Sequence, residues 1–317
     1  MLKELQFVRG SVSKSKIDSS LSHFKIQNGR IKGFNGLLSI CTPIPLDLDC
    51  QPDASQLIKA IGNCRAQVEI TTTPTGKLRL KSGVFKAFIN CYNDPIPDVE
   101  PEGELVPCNG VAMLDAMKKL VDFIGDDATH QWTNGIMFRD KVAMATNNVC
   151  LVQAWIGSVF PMPANVPATA VRELLRINEI PKFVQQTANS MAFHFSDDRW
   201  LRTQIYTTEW PDIDAMFTSE EWHPTPVPHG FWDGLDAIAP FAGKINAVYF
   251  KDGIMRTSMD DEDGAHVQID GVPDSIFNIN MLKLLQKSAN KMDLTKYPAH
   301  GYFVGDRIRG LISGIRA

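Results

Sequence analysis

Apolar positions along the chain fall into two rhythms that alternate three times. A helical rhythm, with apolar residues three and four apart, runs through Leu5, Val8 and Val12 near the start. It returns at Leu114, Met117, Val121 and Ile124, and again at Phe231, Leu235 and Ile238. Such spacing puts the apolar side chains on one side of a helix, so helices are predicted over 1–15, 111–124 and 230–243. Gly10 weakens the first. A second helical stretch follows in each case: ASQLIKAIGNC from 54, ATAVRELLRI from 168 and FNINMLKLLQKSANK from 277.

Between the helices the pattern changes to short alternating strands. Asn28-Gly29, Asn134-Gly135 and Asp252-Gly253 predict tight hairpin turns, since both residue types tolerate positive φ. Further strand and turn systems follow the second helices, in VEITTTPTGKLRLKSG, MAFHFSDDRWLRTQI and GYFVGDRIRGLISGI. Leu57, Val171 and Leu282 occupy matching places 114 and 111 residues apart, which suggests one unit used three times.

Two Pro-rich, acidic passages separate the blocks, DPIPDVEPEGELVP at 94–107 and WPDIDAMFTSEEWHPTPVPHG at 210–230. The expected organisation is therefore α+β, with three similar domains at 1–104, 105–224 and 225–317, each with two helices packed on antiparallel sheets. Three such blocks in series leave unpaired strand edges at both ends. Joining the first block of one copy to the third of another removes those edges and closes a ring.

Composition narrows the reading. Hydrophobic residues make up 44% and charged residues 21% of the 317, as in a globular protein. No apolar stretch approaches the ~20 residues of a membrane span, and no export signal opens the chain, so a cytoplasmic protein is expected. The six cysteines have no CxxC spacing and are expected as free thiols.

Net charge is −4, but it is unevenly placed. Windows 3–16, 54–65, 111–124, 168–182, 229–244 and 278–291 carry +3, +2, 0, +1, −1 and +3, a total of +8 that leaves −12 for the remainder. The helices are thus the expected polyanion-facing elements. Lys283, Lys287 and Lys291 repeat every four residues, as do Arg172 and Arg176. Arg9, Lys14, Lys16, Lys59, Lys118 and Lys119 complete the candidate DNA-facing set. These residues would neutralise phosphates without reading bases.

At this point the chain resembles the sliding clamps of bacterial and phage DNA replication, the processivity factors of replicative polymerases. The resemblance rests on QLIKAI with GKLRLKSG, NGIMF with ATNNVCLV and VPATAVRELLR, WLRTQI with WPD, and the terminal IRGLISGIR. It covers nearly the whole chain, and the short length looks like a phage version. The resemblance implies a ring, a head-to-tail homodimer around double-stranded DNA, opened by a clamp loader and tethering a replicative DNA polymerase at the host bacterium's replication machinery. It implies no cofactor, no membrane partner and no catalysis.

The family's peptide pocket maps by resemblance to Thr146, Asn148 and Leu151 and to the tail at Ile312, Ser313 and Ile315. Asn148 stands where the family has Gly, Val149-Cys150 replace a His-Arg pair, and Ser313-Gly314-Ile315 replace methionines and a proline. Two other readings remain: a peptide-binding scaffold that does not encircle DNA, and a metal-dependent enzyme using His223, His229 or the run Asp260, Asp261, Glu262 and Asp263. The acidic run lacks the spacing of a calcium loop and reads as a solvated turn. The common nucleotide, zinc-protease and hydrolase motifs are absent from the sequence. The six Trp read chiefly as packing residues.

Overall fold

The computed structural model describes every residue except 14–16, 158–159, 161, 261 and 317. The chain folds as two compact units. One joins Met1–Leu114 to Thr169–Thr207, and the other joins Asp115–Ala168 to Thr208–Ala317. The division passes through the middle sequence block, because each unit is built on a sheet that takes strands from two successive blocks.

In the first unit, a seven-stranded antiparallel sheet runs Lys25–Gln27, Arg30–Phe34, Leu38–Pro43, Trp200–Gln204, Ser190–His194, Phe183–Gln186 and Glu104–Pro107. Its central seam pairs Leu38 with Thr203 and Cys41 with Trp200. A separate three-stranded sheet holds Glu69–Thr72, Leu78–Ser82 and Phe85–Ile89. In the second unit, an eight-stranded sheet runs Ala164–Pro167, Gly135–Arg139, Val142–Thr146, Cys150–Trp155, Ile308–Ser313, His300–Gly305, Lys291–Asp293 and Thr225–Pro226. There the seam pairs Cys150 with Ile312 and Ala154 with Ile308. A four-stranded sheet holds His266–Gln268, Ile254–Arg256, Ala247–Lys251 and Ser275–Asn278.

One pairing rule recurs. The third strand of a block's opening group lies antiparallel to the last strand of the next block's closing group, first at Leu38–Pro43 with Trp200–Gln204 and then at Cys150–Trp155 with Ile308–Ser313. Two strands that occupy the same places in the repeat, His266–Gln268 and Phe85–Ile89, are edges of their sheets.

Helices form at Leu2–Val8, Ala54–Gly62, Gly110–Leu120, Ala168–Ile177, Phe231–Ile238 and Ile279–Leu285, and the first, expected to residue 15, ends at Val8, passes through a 3-10 turn at Arg9–Ser11 and is extended at Val12. Asp53 caps the second by accepting the Gln56 N–H at 2.8 Å, an arrangement worth about 1 kcal/mol. A further helix, Asp214–Thr218, lies in the second linker, where Trp210, Ile213 and Phe217 are buried. The first linker is pinned by charge: Lys25 and Lys32 bridge Asp98, Lys32 also reaches Glu100, and Ser39 Oγ donates to the Val99 carbonyl.

Two further expectations change. The turn expected at Asn134-Gly135 is the entry to strand Gly135–Arg139, and the hairpin forms at Asp140-Lys141, where Arg139 pairs with Val142. Gly135 serves close approach: a Cβ there would sit 2.5 Å from the Val166 carbonyl oxygen. The last helix also stops early. The Ser288 and Ala289 N–H groups both donate to the Leu285 carbonyl, and Val304 accepts the Asn290 N–H, which draws the chain into the sheet. Lys283 therefore lies on the helix, Lys287 in a turn and Lys291 on a strand, so they form no helical stripe.

Inside the first unit, Glu173 is only 9% exposed and is held by Arg176 through two hydrogen bonds of 2.6 and 2.8 Å. Arg176 also donates to the Phe7 carbonyl at 2.9 Å, tying helix Ala168–Ile177 to helix Leu2–Val8. Removing the guanidinium strands a largely buried carboxylate. We expect Arg176→Ala to lower unfolding free energy by about 2–3 kcal/mol, and exposed Arg172→Ala to change it by less than ~0.5 kcal/mol. Urea denaturation of both variants measures the difference, and equal effects would contradict this assignment.

Candidate functional sites

The basic residues singled out from the sequence divide by what they touch. In the first unit, Arg9, Lys59 and Arg176 line one open cavity of about 780 Å³ with Asp53, Ser55 and Glu173. Arg9, Lys59 and Arg172 are exposed, whereas Arg176 is committed to Glu173. Lys14 and Lys16 lie outside the described residues. In the second unit, Lys118 is exposed on helix Gly110–Leu120, but its neighbour Lys119 bridges Asp115 at 2.9 Å and Asp306 at 3.4 Å. Lys283 is likewise paired with Asp236 at 2.6 Å, and that ammonium holds the Asp236 carboxyl below its ordinary range. Lys287 and Lys291 are exposed. The cations available to an outside polyanion are therefore fewer than the formal charge suggests, because local carboxylates already neutralise Lys119, Arg176 and Lys283.

A second site lies wholly in the second unit. Trp132, Thr146, Asn148, Val149, Leu151, Ile213, Met216, His300, Leu311 and Ser313 surround a cavity of about 160 Å³, a size that admits one ring-sized side chain. Strand alternation builds it. Thr146, Leu151 and Leu311 lie opposite one another across three neighbouring strands, so their side chains share a face. The linker helix supplies the opposite wall, while Trp132 stands edge-on to Trp210 with ring centroids 5.1 Å apart. Beneath lies a buried cluster of Met137, Met144, Leu151, Trp210, Ile213, Phe217 and Leu311.

The mouth is polar. Asn148 adopts φ 67 and its backbone N–H donates to Thr146 Oγ1 at 3.2 Å. Its side-chain amide donates to Asp127, whose carboxylate also accepts from Thr129 and His130. Those donors hold the Asp127 carboxyl far below the usual carboxylate range, with the Thr129 side chain the largest cause. His300 Nδ1 and Ser313 Oγ sit 3.4 Å apart at the other end.

Of the residues named from the sequence, Thr146, Asn148, Leu151 and Ser313 line this cavity. Ile312 does not. It is 1% exposed and points to the opposite side of its strand, where its methyl group packs at Gly301. Ile315 is tied away by its own backbone, its N–H donating to the Ile276 carbonyl and its carbonyl accepting from Tyr297 OH. Sequence reasoning missed Trp132, Ile213, Met216 and His300 as lining residues. Alternation along Ile308–Ser313 was the available signal for choosing Leu311 over Ile312, whereas nothing local marked the linker residues.

Other candidates resolve into ordinary structure. His194 follows buried Phe193 on the strand and so takes the other face of the sheet, its Nε2 is 2.7 Å from Gln185 Oε1, and burial lowers its pKa. Asp260 accepts the Glu262 N–H within the acidic turn, and His223 donates its backbone N–H to Asp293. Among the described residues, no three His, Cys, Asp or Glu side chains converge as a metal site, and no helix is long and apolar enough to cross a membrane. The six cysteines are free, with burial pushing the Cys41 and Cys108 thiols up to about 11 and the Cys50 and Cys150 thiols up to about 12.

No family model matches the sequence, and no curated protein matches it. Solved structures do. The DNA polymerase sliding clamp of Bacillus subtilis superposes with a TM-score of 0.83 at 15% identity, and a putative DNA polymerase III beta subunit of Eubacterium rectale with 0.84 at 16%. The Helicobacter pylori beta clamp bound to a DNA ligase peptide gives 0.80 at 10%. Each alignment covers 100% of this chain and 97% of the other. At such identities the likeness establishes architecture, and the chain has the sliding-clamp fold.

Proposed function

We propose that this protein is a DNA polymerase processivity factor whose copies join head to tail around duplex DNA. The observation that carries the reading is the recurrent strand pairing. Two of its three expected seams are present within the chain. The third needs His266–Gln268 of one copy to meet Phe85–Ile89 of another, and both are sheet edges. Charge favours that join: residues 65–92 carry a formal +4 and residues 251–275 a formal −5. Phe88 and Val84 are exposed large apolar side chains on the basic edge. By analogy with the paired seams, a closed ring would have three equivalent sequence domains per copy, at 1–104, 105–224 and 225–317.

In this reading the duplex meets the available cations, Arg9, Lys59, Lys118, Arg172, Lys287 and Lys291, with Lys14 and Lys16 as further candidates. A protein contacting phosphates weakly would slide, held by topology. The cavity at Trp132, Leu151 and Leu311 would receive a peptide of the replicative polymerase or the clamp loader. Its apolar base and polar mouth fit an anchored linear segment. The protein itself performs no chemistry, and its place is the bacterial cytoplasm.

The direct test is retention. After incubation at high protein concentration, the protein should stay with nicked circular DNA through gel filtration and be lost when the same circle is cut. Equal loss from both forms would reject encirclement and favour the scaffold reading. For the seam, Lys86→Glu with Phe88→Glu should convert dimer to monomer in sedimentation experiments without changing circular dichroism, and dimerisation of the parent should weaken with added salt. A variant that still dimerises would place the seam elsewhere. Ser313→Trp, which fills the cavity, should abolish polymerase stimulation while leaving DNA retention intact. Full stimulation by that variant would remove the cavity's assigned role.

A further inference from the structure

The face of the eight-stranded sheet that carries the cavity continues beyond it. Leu151, Gln153 and Trp155 alternate onto that face, opposite Leu311, Arg309 and the turn at Arg307. Gln153 and Arg309 are used internally: Arg309 Nε donates to Gln153 Oε1 at 2.7 Å and its guanidinium lies 4.5 Å from the Phe217 ring centroid. The next position is different. Trp155 is 50% exposed, the Arg307 guanidinium stands 5.8 Å from its ring, and the cavity lies four residues away, about 14 Å along the strand.

Three features mark this as a prepared surface. The indole is held in place, since Gly157 packs so close that a Cβ there would sit 2.9 Å from the ring. Arg307 adopts φ 55 in the two-residue hairpin loop between Gly305 and Ile308, a conformation that favours Gly. In the matching closing hairpins the first block places Gly83 at φ 59 and the second places Asp197 and Asp198 at φ 61 and 54, residue types that tolerate this region. Arg307 has neither the missing Cβ of Gly nor the short polar side chain of Asn or Asp that eases this conformation, and its presence there points to use of its side chain. Local charges also sort unevenly: Arg139 pairs with Asp140 and Lys119 with Asp306, which leaves Lys141 and Arg307, among the described residues, exposed without an ion-pair partner.

We infer that Trp155 and Arg307 form a second docking point for the partner whose anchor fills the cavity, taking an acidic segment that bears an aromatic residue. The inference rests on the peptide-binding reading of that cavity. The aromatic side chain stacks on the free indole face, and flanking carboxylates pair with Arg307 and Lys141. An extended connection of about five residues spans the distance over the linker helix. Two weak contacts on one chain then act together through effective concentration.

The test uses three labelled peptides in fluorescence polarisation: an Ile-Phe anchor alone, that anchor joined through six Gly/Ser residues to Glu-Tyr-Glu, and the same with Lys-Tyr-Lys. The acidic bivalent peptide should bind roughly tenfold tighter than the anchor, and the basic one no tighter. Trp155→Ala and Arg307→Gly should each remove the gain while leaving anchor affinity unchanged. Arg307→Gly suits the turn conformation, so a folding defect does not confound it. Equal binding of the anchor and acidic bivalent peptides, or a gain that survives both substitutions, overturns the second docking point. Binding of the acidic bivalent peptide, lost in Trp155→Ala, with no binding of the anchor alone would sink the cavity reading and leave the Trp155 surface standing. No binding by any peptide would remove both.

Discussion

Backbone hydrogen bonding along strand edges is the constraint on which this structure depends. An exposed strand edge is a row of donors and acceptors seeking another strand. This chain satisfies two such edges by running each large sheet from one sequence block into the next, at Leu38–Pro43 with Trp200–Gln204 and at Cys150–Trp155 with Ile308–Ser313. The compact units therefore do not coincide with the sequence blocks. The same rule leaves one basic edge near the start and one acidic edge near the end, and the proposed function follows from their mutual fit.

Sheet continuity also creates the cavity. Leu151 and Leu311 come from strands far apart in sequence, yet they face each other across the seam. The second linker is recruited as a wall because Trp210, Ile213 and Phe217 bury themselves against that seam. In the first unit the linker is held to its own sheet differently, by Lys25 and Lys32 gripping Asp98 and by Ser39 bonding the Val99 backbone. Similar Pro-rich sequences thus have unlike roles.

Much of the local architecture was legible in the sequence. Helical spacing located the six main helices, and Asn28-Gly29 and Asp252-Gly253 turn as their residue types require. Tertiary partners were not legible. Lys283 looked free until Asp236, distant in sequence, came within 2.6 Å, and Arg176 proved to be the partner of a buried glutamate. The last helix ended early because the sheet captured Asn290, a long-range effect that periodicity does not report. At the cavity, the resemblance located the right strands, but only alternation separates Leu311 from Ile312.

The central claim is that the two leftover edges belong to each other in different copies. If the hairpin registers of the paired seams are carried over, His266 should face Lys86 of a second copy, and both are exposed in the single chain. Cysteines introduced together at these positions and joined by a short bismaleimide, with the parent protein as control, measure this directly. The account predicts a covalent dimer containing two links per pair of chains. Chains that remain monomeric, or that link only within themselves, would contradict it.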